Sequence, residues 1–264
     1  MKKSLSRLMF PSLTLLALLA AGASVALAAD DPLSFNLGAT TDYRYRGISQ
    51  TRLEPALQGG MDYASPSGWY LGTWGSTIQW IKDNGVKGPV ELDLYGGYRG
   101  EIHKDLGYDL GLLQYAYVGN KLTDTGGGGV YKNANTTELY GALNYGPVTA
   151  KLSYALTHLF GNYNFASGQG TKGSIYAELN GSFDLGSGFT LAPHVGYQKV
   201  AHLGVASYTD YSATVSKDLG SGLSVSLALV GTDANQSFYV PGAAAGSTKF
   251  LGKTAGVLSV KSTF

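Results

Sequence analysis

Residues 33–45 read Leu33-Ser34-Phe35-Asn36-Leu37-Gly38-Ala39-Thr40-Thr41-Asp42-Tyr43-Arg44-Tyr45. Leu33, Phe35, Leu37, Ala39, Thr41, Tyr43 and Tyr45 fall on one parity; Ser34, Asn36, Gly38, Thr40, Asp42 and Arg44 fall on the other. A strand sends successive side chains to opposite faces, so this stretch specifies a sheet with one apolar and one polar face. Residues 175–185 repeat the pattern, with Ile175, Ala177, Leu179, Phe183 and Leu185 against Tyr176, Glu178, Asn180, Ser182 and Asp184. Similar alternation covers 55–63, 69–76, 90–98, 108–117, 139–145, 148–156, 189–197, 211–215, 223–229 and 250–264. That makes twelve segments, an even number, as bacterial single-chain barrels have. Helical periodicity is absent from these windows, and each interior glycine would cost a helix about 1 kcal/mol.

The connections alternate in length. Ser65-Pro66-Ser67-Gly68, Gly146-Pro147, Gly186-Ser187-Gly188 and Gly220-Ser221-Gly222 are short turn signals. Longer polar stretches fall between them, at 46–54, 77–89, 118–136, 158–172, 199–207 and 233–248. Short turns at one rim and long loops at the other distinguish a transmembrane β-barrel from a soluble sandwich. The turn-side connection at 99–107 is expected to be longer than its neighbours.

Composition agrees. The chain of 264 residues has only 14% charged residues, 38 glycines, 19 tyrosines and no cysteine. Disulfide frameworks, thiolate nucleophiles and cysteine zinc sites are thereby excluded. Its net charge of +1 gives no electrostatic footprint for a nucleic acid. At the amino terminus, Lys2, Lys3 and Arg7 precede the apolar run Leu13–Ala21, and Ala26-Leu27-Ala28 offers small residues for cleavage. Residues 1–28 read as a signal peptide, and residues 29–264 as the barrel. Loss of three basic residues with the leader leaves 16 against 18 acidic, a net charge of −2. After residue 28 no apolar run is long enough for a spanning helix.

Two further features bear on identity. The chain ends on a strand whose outward parity is Leu258, Val260, Ser262 and Phe264, a pattern expected to be picked up by barrel-assembly machinery. The segment Asp42-Tyr43-Arg44-Tyr45-Arg46-Gly47-Ile48-Ser49-Gln50-Thr51 is followed by Pro55-Ala56-Leu57-Gln58-Gly59-Gly60-Met61-Asp62-Tyr63 and Glu91-Leu92-Asp93-Leu94-Tyr95-Gly96-Gly97-Tyr98. In order and spacing these resemble the TorF-type porin family of Gram-negative outer membranes; beyond about residue 120 the likeness is one of pattern and length. The resemblance implies export, signal cleavage and an outer-membrane location, with lipid and lipopolysaccharide outside the barrel. It implies a porin-like role without naming a solute or a binding residue.

With apolar parity toward lipid, charges point inward, because Arg or Lys at the bilayer midplane costs about 2–4 kcal/mol. Arg44 and Arg46 then sit at the outer end of the first strand, beside Lys249 and Lys253 on the last, as one basic wall. Glu91, Asp93, Glu138, Glu178 and Asp210 form the opposing wall. One expectation is a transverse field across a narrow polar opening that selects small, hydrophilic, charged solutes diffusing passively. The alternative is that the charges pair and, with Tyr95, Tyr140 and Tyr176, fill the lumen of a structural or adhesive barrel.

No catalytic, cofactor or metal site is expected. His103, His158, His194 and His202 have no ligand spacing. His194 with a lumenal serine imitates the pair of a barrel-type lipid hydrolase, but no third orienting group is evident. Gly126-Gly127-Gly128-Gly129 lacks the lysine and helix of a phosphate loop and reads as a loop tip. Aromatic girdles are expected to include Tyr43, Tyr45, Tyr63, Trp69, Tyr98, Tyr145, Phe189 and Phe264. Trp74 and Trp80, read as loop residues, are the candidates for stacking on a sugar.

Overall fold

The computed structural model describes residues 32–122 and 132–264. The leader at 1–28 and the four-glycine segment at 126–129 lie outside the described residues. Twelve strands close into one antiparallel barrel. They are β1 (Leu33–Thr40), β2 (Ala56–Ala64), β3 (Trp69–Thr77), β4 (Val90–His103), β5 (Leu106–Tyr117) and β6 (Thr136–Tyr145). There follow β7 (Val148–Ala155), β8 (Ile175–Gly181, resumed after Ser182 as Phe183–Gly186), β9 (Phe189–Lys199), β10 (Tyr208–Gly220), β11 (Leu223–Thr232) and β12 (Ala255–Thr263). Each strand pairs with the next, and β1 pairs with β12 from Asn36↔Thr263 to Thr40↔Ser259, so the sheet has no free edge. Reciprocal backbone bonds between Phe35 and Phe264, at 2.7 and 3.0 Å, continue that seam to the last residue.

The alternation sets the two surfaces. Leu37, Leu57, Leu71, Leu112, Leu152 and Leu227 point outward and are exposed, while their chain neighbours face the interior. This reverses the burial pattern of a soluble domain and suits a barrel whose solvent is hydrocarbon. Exposed Phe35, Tyr63, Trp69, Tyr145, Phe189 and Phe264 ring the turn rim.

Tyrosine and glycine abundance share one cause. On inward faces a tyrosine lies flat over a glycine of the adjacent strand: Tyr95 pairs in register with Gly72, Tyr70 with Gly97, and Tyr140 with Gly111. A Cβ built on Gly72 would lie 2.4 Å from the Tyr95 ring, and one on Gly111 would lie 2.5 Å from the Tyr140 ring. Cross-strand stacking of this kind covers the bare backbone at glycine and holds the ring against the wall. Gly72→Ala is expected to lift Tyr95 and destabilise the barrel by about 1–3 kcal/mol, as overpacking does. Urea unfolding of the refolded barrel measures this, and an unchanged midpoint would remove the stacking argument.

Three boundaries differ from those expected. The first strand stops at Thr40, not Tyr45, and the chain then turns into the lumen. The expected long connection at 99–107 is instead strand: β4 runs to His103, β5 starts at Leu106, and the turn is Lys104-Asp105, with Asp105 at φ 68°. The last strand begins at Ala255 rather than Phe250. Trp74 lies on β3 facing the interior, and Trp80 opens a single helical turn, α1 (Trp80–Asp83).

Candidate functional site

The segment between β1 and β2 folds down inside the loop end of the barrel. Its tip is a two-residue hairpin: Arg44 pairs with Ser49 and Tyr45 with Ile48 across Arg46-Gly47. Both turn residues are left-handed, at φ 45° and 76°, the geometry whose twist matches a hairpin. At Gly47 a Cβ would meet Thr232 at 2.3 Å and Asp210 at 2.9 Å, so only glycine passes the β10–β11 wall there. Asp42 organises the base of the hairpin. It accepts from Arg44 Nε at 2.5 Å, Ser49 Oγ at 2.6 Å and Thr51 Oγ1 at 3.3 Å. Arg44 Nη1 also donates to the carbonyls of Gly47, Leu251 and Lys253 at 2.9–3.1 Å.

Arg46 reaches across the lumen. Its two terminal nitrogens donate to the two Glu138 carboxylate oxygens at 3.1 and 2.7 Å, and one of them also donates to Gln198 Oε1 at 2.6 Å. The guanidinium carbon stands 4.0 Å from the Tyr176 ring centroid and 4.8 Å from that of Tyr45. A planar fork is suited to this, bidentate on a carboxylate and stacked on aromatics at once. Arg46 is only 4% exposed, so the expected basic and acidic walls meet in a buried ion pair.

The tyrosines flanking Arg46 seal the contact. Tyr43 donates to Glu91 Oε1 at 2.6 Å and packs edge-on against Trp74 at 5.4 Å; Tyr45 shares a 2.7 Å bond with Tyr115. Burial pushes the Tyr43 phenol well above the ordinary tyrosine range, so it remains a donor. Asp93 lies under these rings with neither carboxylate oxygen hydrogen-bonded to another protein group. Above the hairpin, Arg52 bonds both carboxylate oxygens of Asp83 at the end of α1, and the Gln50 carbonyl accepts from the backbones of Gln79 and Trp80. Tyr43 and Tyr45, expected in a girdle, are interior because each hydroxyl has a polar partner there. Trp74 and Trp80 are partly buried against the same cluster, with the Trp80 ring 4.9 Å from Tyr117.

A second polar cluster lies on β8–β10. Asp210 accepts from Tyr176 at 2.9 Å and lies 2.8 Å from His194 Nε2, while His194 Nδ1 lies 2.6 Å from Asn180 Oδ1. Orienting groups for His194 therefore exist, which the sequence did not reveal. Both ring nitrogens are engaged, and no serine hydroxyl among the described residues bonds to them; Ser212 Oγ, on the adjacent strand, is without a partner. Glu178 bonds Asn180 at 2.9 Å and lies 4.0 Å from Lys151. Tyr176→Phe keeps the ring under Arg46 and deletes these bonds. It is expected to cost about 1–3 kcal/mol in urea unfolding, and a neutral outcome would mean water replaces the hydroxyl without loss.

Toward the turn rim the interior changes character. Asp62, Arg99, Asp109, Lys151, Glu178 and Lys261 point inward yet remain partly exposed, so water reaches the lumen from that side. Sequence reasoning had not singled out Asp62, Arg99, Asp109, Lys151 or Lys261; the inward parity of their strands was the available signal. Lys249 and Lys253 lie before β12 with exposed side chains, and only the Lys253 carbonyl meets Arg44. Among the described residues no group of His, Asp or Glu is arranged to hold a metal.

A profile of bacterial proteins of unknown function, Gcw_chp, matches residues 26–264. The chain belongs to the Gcw_chp family. No curated protein matches it in sequence. Among solved structures, the Gcw_chp barrel is similar to the KdgM porin in complex with disordered oligogalacturonate. The TM-score is 0.53 at 8% identity, over 88% of this chain and 99% of that one. A second KdgM porin structure gives a TM-score of 0.50 at 8% identity, over 88% and 98%. At such identity the likeness is one of fold: a closed barrel of the same architecture. The resemblance to TorF-type porins rests on the residues quoted above.

Proposed function

We propose that this protein is an outer-membrane porin-like channel for small hydrophilic solutes whose path is closed at the loop rim by the segment between β1 and β2. The observation that carries this reading is the combination of an apolar exterior with a polar interior that is wet below the hairpin and dry beside it. A barrel needs the first to sit in lipid, and a water-filled conduit is one use of the second. The short turns would face the periplasm and the long connections the exterior. The porin fold of KdgM, a porin described in complex with disordered oligogalacturonate, supports the class of function.

Selectivity in this reading belongs to the wet half, where Arg99, Lys151 and Lys261 face Asp62, Asp109 and Glu178. Arg44, Arg46, Glu91, Asp93, Glu138 and Asp210 would line the pore as its closure. A structural barrel with a filled lumen is the second reading, favoured by the same infolded hairpin. Planar-bilayer recording of the refolded protein in a salt gradient tests the choice. The channel reading expects discrete, brief conductance steps and a reversal potential that moves in Arg99→Ala or Asp109→Ala. A folded barrel that stays silent even without the hairpin supports the second reading.

A further inference from the structure

The hairpin between β1 and β2 covers more carboxylate than it neutralises. Glu91 and Asp93 are successive inward residues of β4, Glu138 faces inward from β6, and each is at most 2% exposed. Arg46, the cation the hairpin brings to them, gives both terminal nitrogens to Glu138, and Glu91 accepts from Tyr43. Asp93 receives neither: its two oxygens are buried without a hydrogen-bond partner, and no ion pair reaches it among the described residues. The titratable groups around it are Glu91 and Tyr95 on its own strand, Tyr115 and Tyr117 on β5, Glu138 on β6 and Tyr43 from the hairpin, with Trp74 the neighbour on β3. None of these is a cation. Trp74 and Tyr115 flank Asp93 in register, and they are the rings on which the hairpin sits, Tyr43 edge-on to Trp74 at 5.4 Å and Tyr45 edge-on to Tyr115 at 5.5 Å. Seating the hairpin therefore shuts Asp93 away from the water of the lumen, and lifting it uncovers the carboxyl.

We infer that Asp93 is a proton-binding site that latches the hairpin, which stays seated over the carboxylic acid and lifts from the carboxylate. The inference rests on the channel reading above and names how that channel is regulated. A carboxylate shut away from water beside two others, with no donor and no cation, bears an uncompensated desolvation cost and like-charge repulsion. A neutral acid escapes the repulsion and most of the cost. Uncovered, the carboxyl is hydrated and free to ionise. The seated form thus holds one proton more than the lifted form, so falling pH favours closure and rising pH favours opening. Over the range in which only the lifted form has lost that proton, each pH unit changes the open-to-closed ratio about tenfold.

The test records the open probability of the refolded full barrel in planar bilayers from about pH 5 to about pH 8, an interval above the ordinary aspartate range. The wild type is expected to gain at least about tenfold in open-to-closed ratio across it. Asp93→Asn and Asp93→Leu, permanently uncharged and of similar size, should stay mostly shut with no pH response. The variant with residues 43–53 replaced by a Gly-Ser connection should conduct equally at every pH. A wild type indifferent to pH, or one that opens as the pH falls, overturns the proton site. So does a wild-type slope retained by Asp93→Asn or by the hairpin replacement, since the titrating group then lies elsewhere. Uncharged variants that stand open at every pH overturn it too, because the carboxylate is then what holds the hairpin. The two readings fail differently. A folded hairpin replacement that is silent contradicts the channel reading and the inference with it, whereas steady conductance in the replacement beside a pH-indifferent native barrel contradicts the proton site alone.

Discussion

A barrel in which residues 43–53 are replaced by a short Gly-Ser connection is expected to conduct continuously, where the proposed function has the native protein mostly shut. The native hairpin is held by the Arg46–Glu138 pair, the Tyr43–Glu91 and Tyr45–Tyr115 hydrogen bonds, and the Arg52–Asp83 clamp above. Each roughly 1.4 kcal/mol of holding free energy removed multiplies the open-to-closed ratio about tenfold. Losing all of these contacts should therefore take the channel from rare openings to a steady open level, read as time-averaged conductance in a planar bilayer. The twelve-strand ladder does not depend on this segment, because β1 is already paired with β2 and β12 up to Thr40. Unchanged conductance in a correctly folded variant would mean that the obstruction lies elsewhere.

The second large effect concerns stability. Arg46→Ala leaves Glu138 buried with its bidentate partner gone, and removal of one member of such a pair typically costs about 3–5 kcal/mol. The lost cation above Tyr176 and Tyr45 adds to this, by about 0.5–2 kcal/mol. Glu138→Gln in the Arg46→Ala background removes the stranded charge and should restore a substantial part of the loss. Urea titration of the two variants checks this. A double variant no more stable than Arg46→Ala would show that the cost lies in packing rather than in the unpaired carboxylate.

Strand number, closure and the outward face were legible because hydrocarbon imposes a strict period of two, which a single sequence records at every lipid-facing position. The hairpin was not, and the reason lies in tyrosine. Tyr43 and Tyr45 continue the parity of Leu33 to Ala39, yet a tyrosine serves a lipid face and a polar interior equally well if its hydroxyl finds a partner. Period two therefore ran past the true end of β1. Arg46-Gly47 was the local signal available, a glycine at the second position of a tight turn, but arginine is an unusual companion there. Its left-handed conformation is held by a residue 92 positions away, which no local reading contains. The hairpin at 104–105 was missed for the opposite reason: Arg99, Glu101, His103 and Lys104 look like a polar loop, whereas β4 and β5 extend beyond the apolar band into water. Glu91, Asp93, Glu138, Glu178 and Asp210 lie on barrel strands, whereas Arg44, Arg46, Lys249 and Lys253, expected on the first and last strands, lie in connections; which charges meet across the lumen depends on barrel closure and side-chain reach.

The central claim, a lumen open from the turn side and closed at the loop rim, is tested most directly by one-sided labelling. The chain has no cysteine, so a single Ser226→Cys change provides a unique thiol. Ser226 points inward on β11, partly accessible to water and below the hairpin. A small membrane-impermeant thiol reagent is added to either face of oriented proteoliposomes, and the labelling rate is measured. The account predicts fast reaction from the turn side, slow reaction from the loop side, and equal rates once residues 43–53 are replaced. Equal rates from both sides in the otherwise native protein would contradict it.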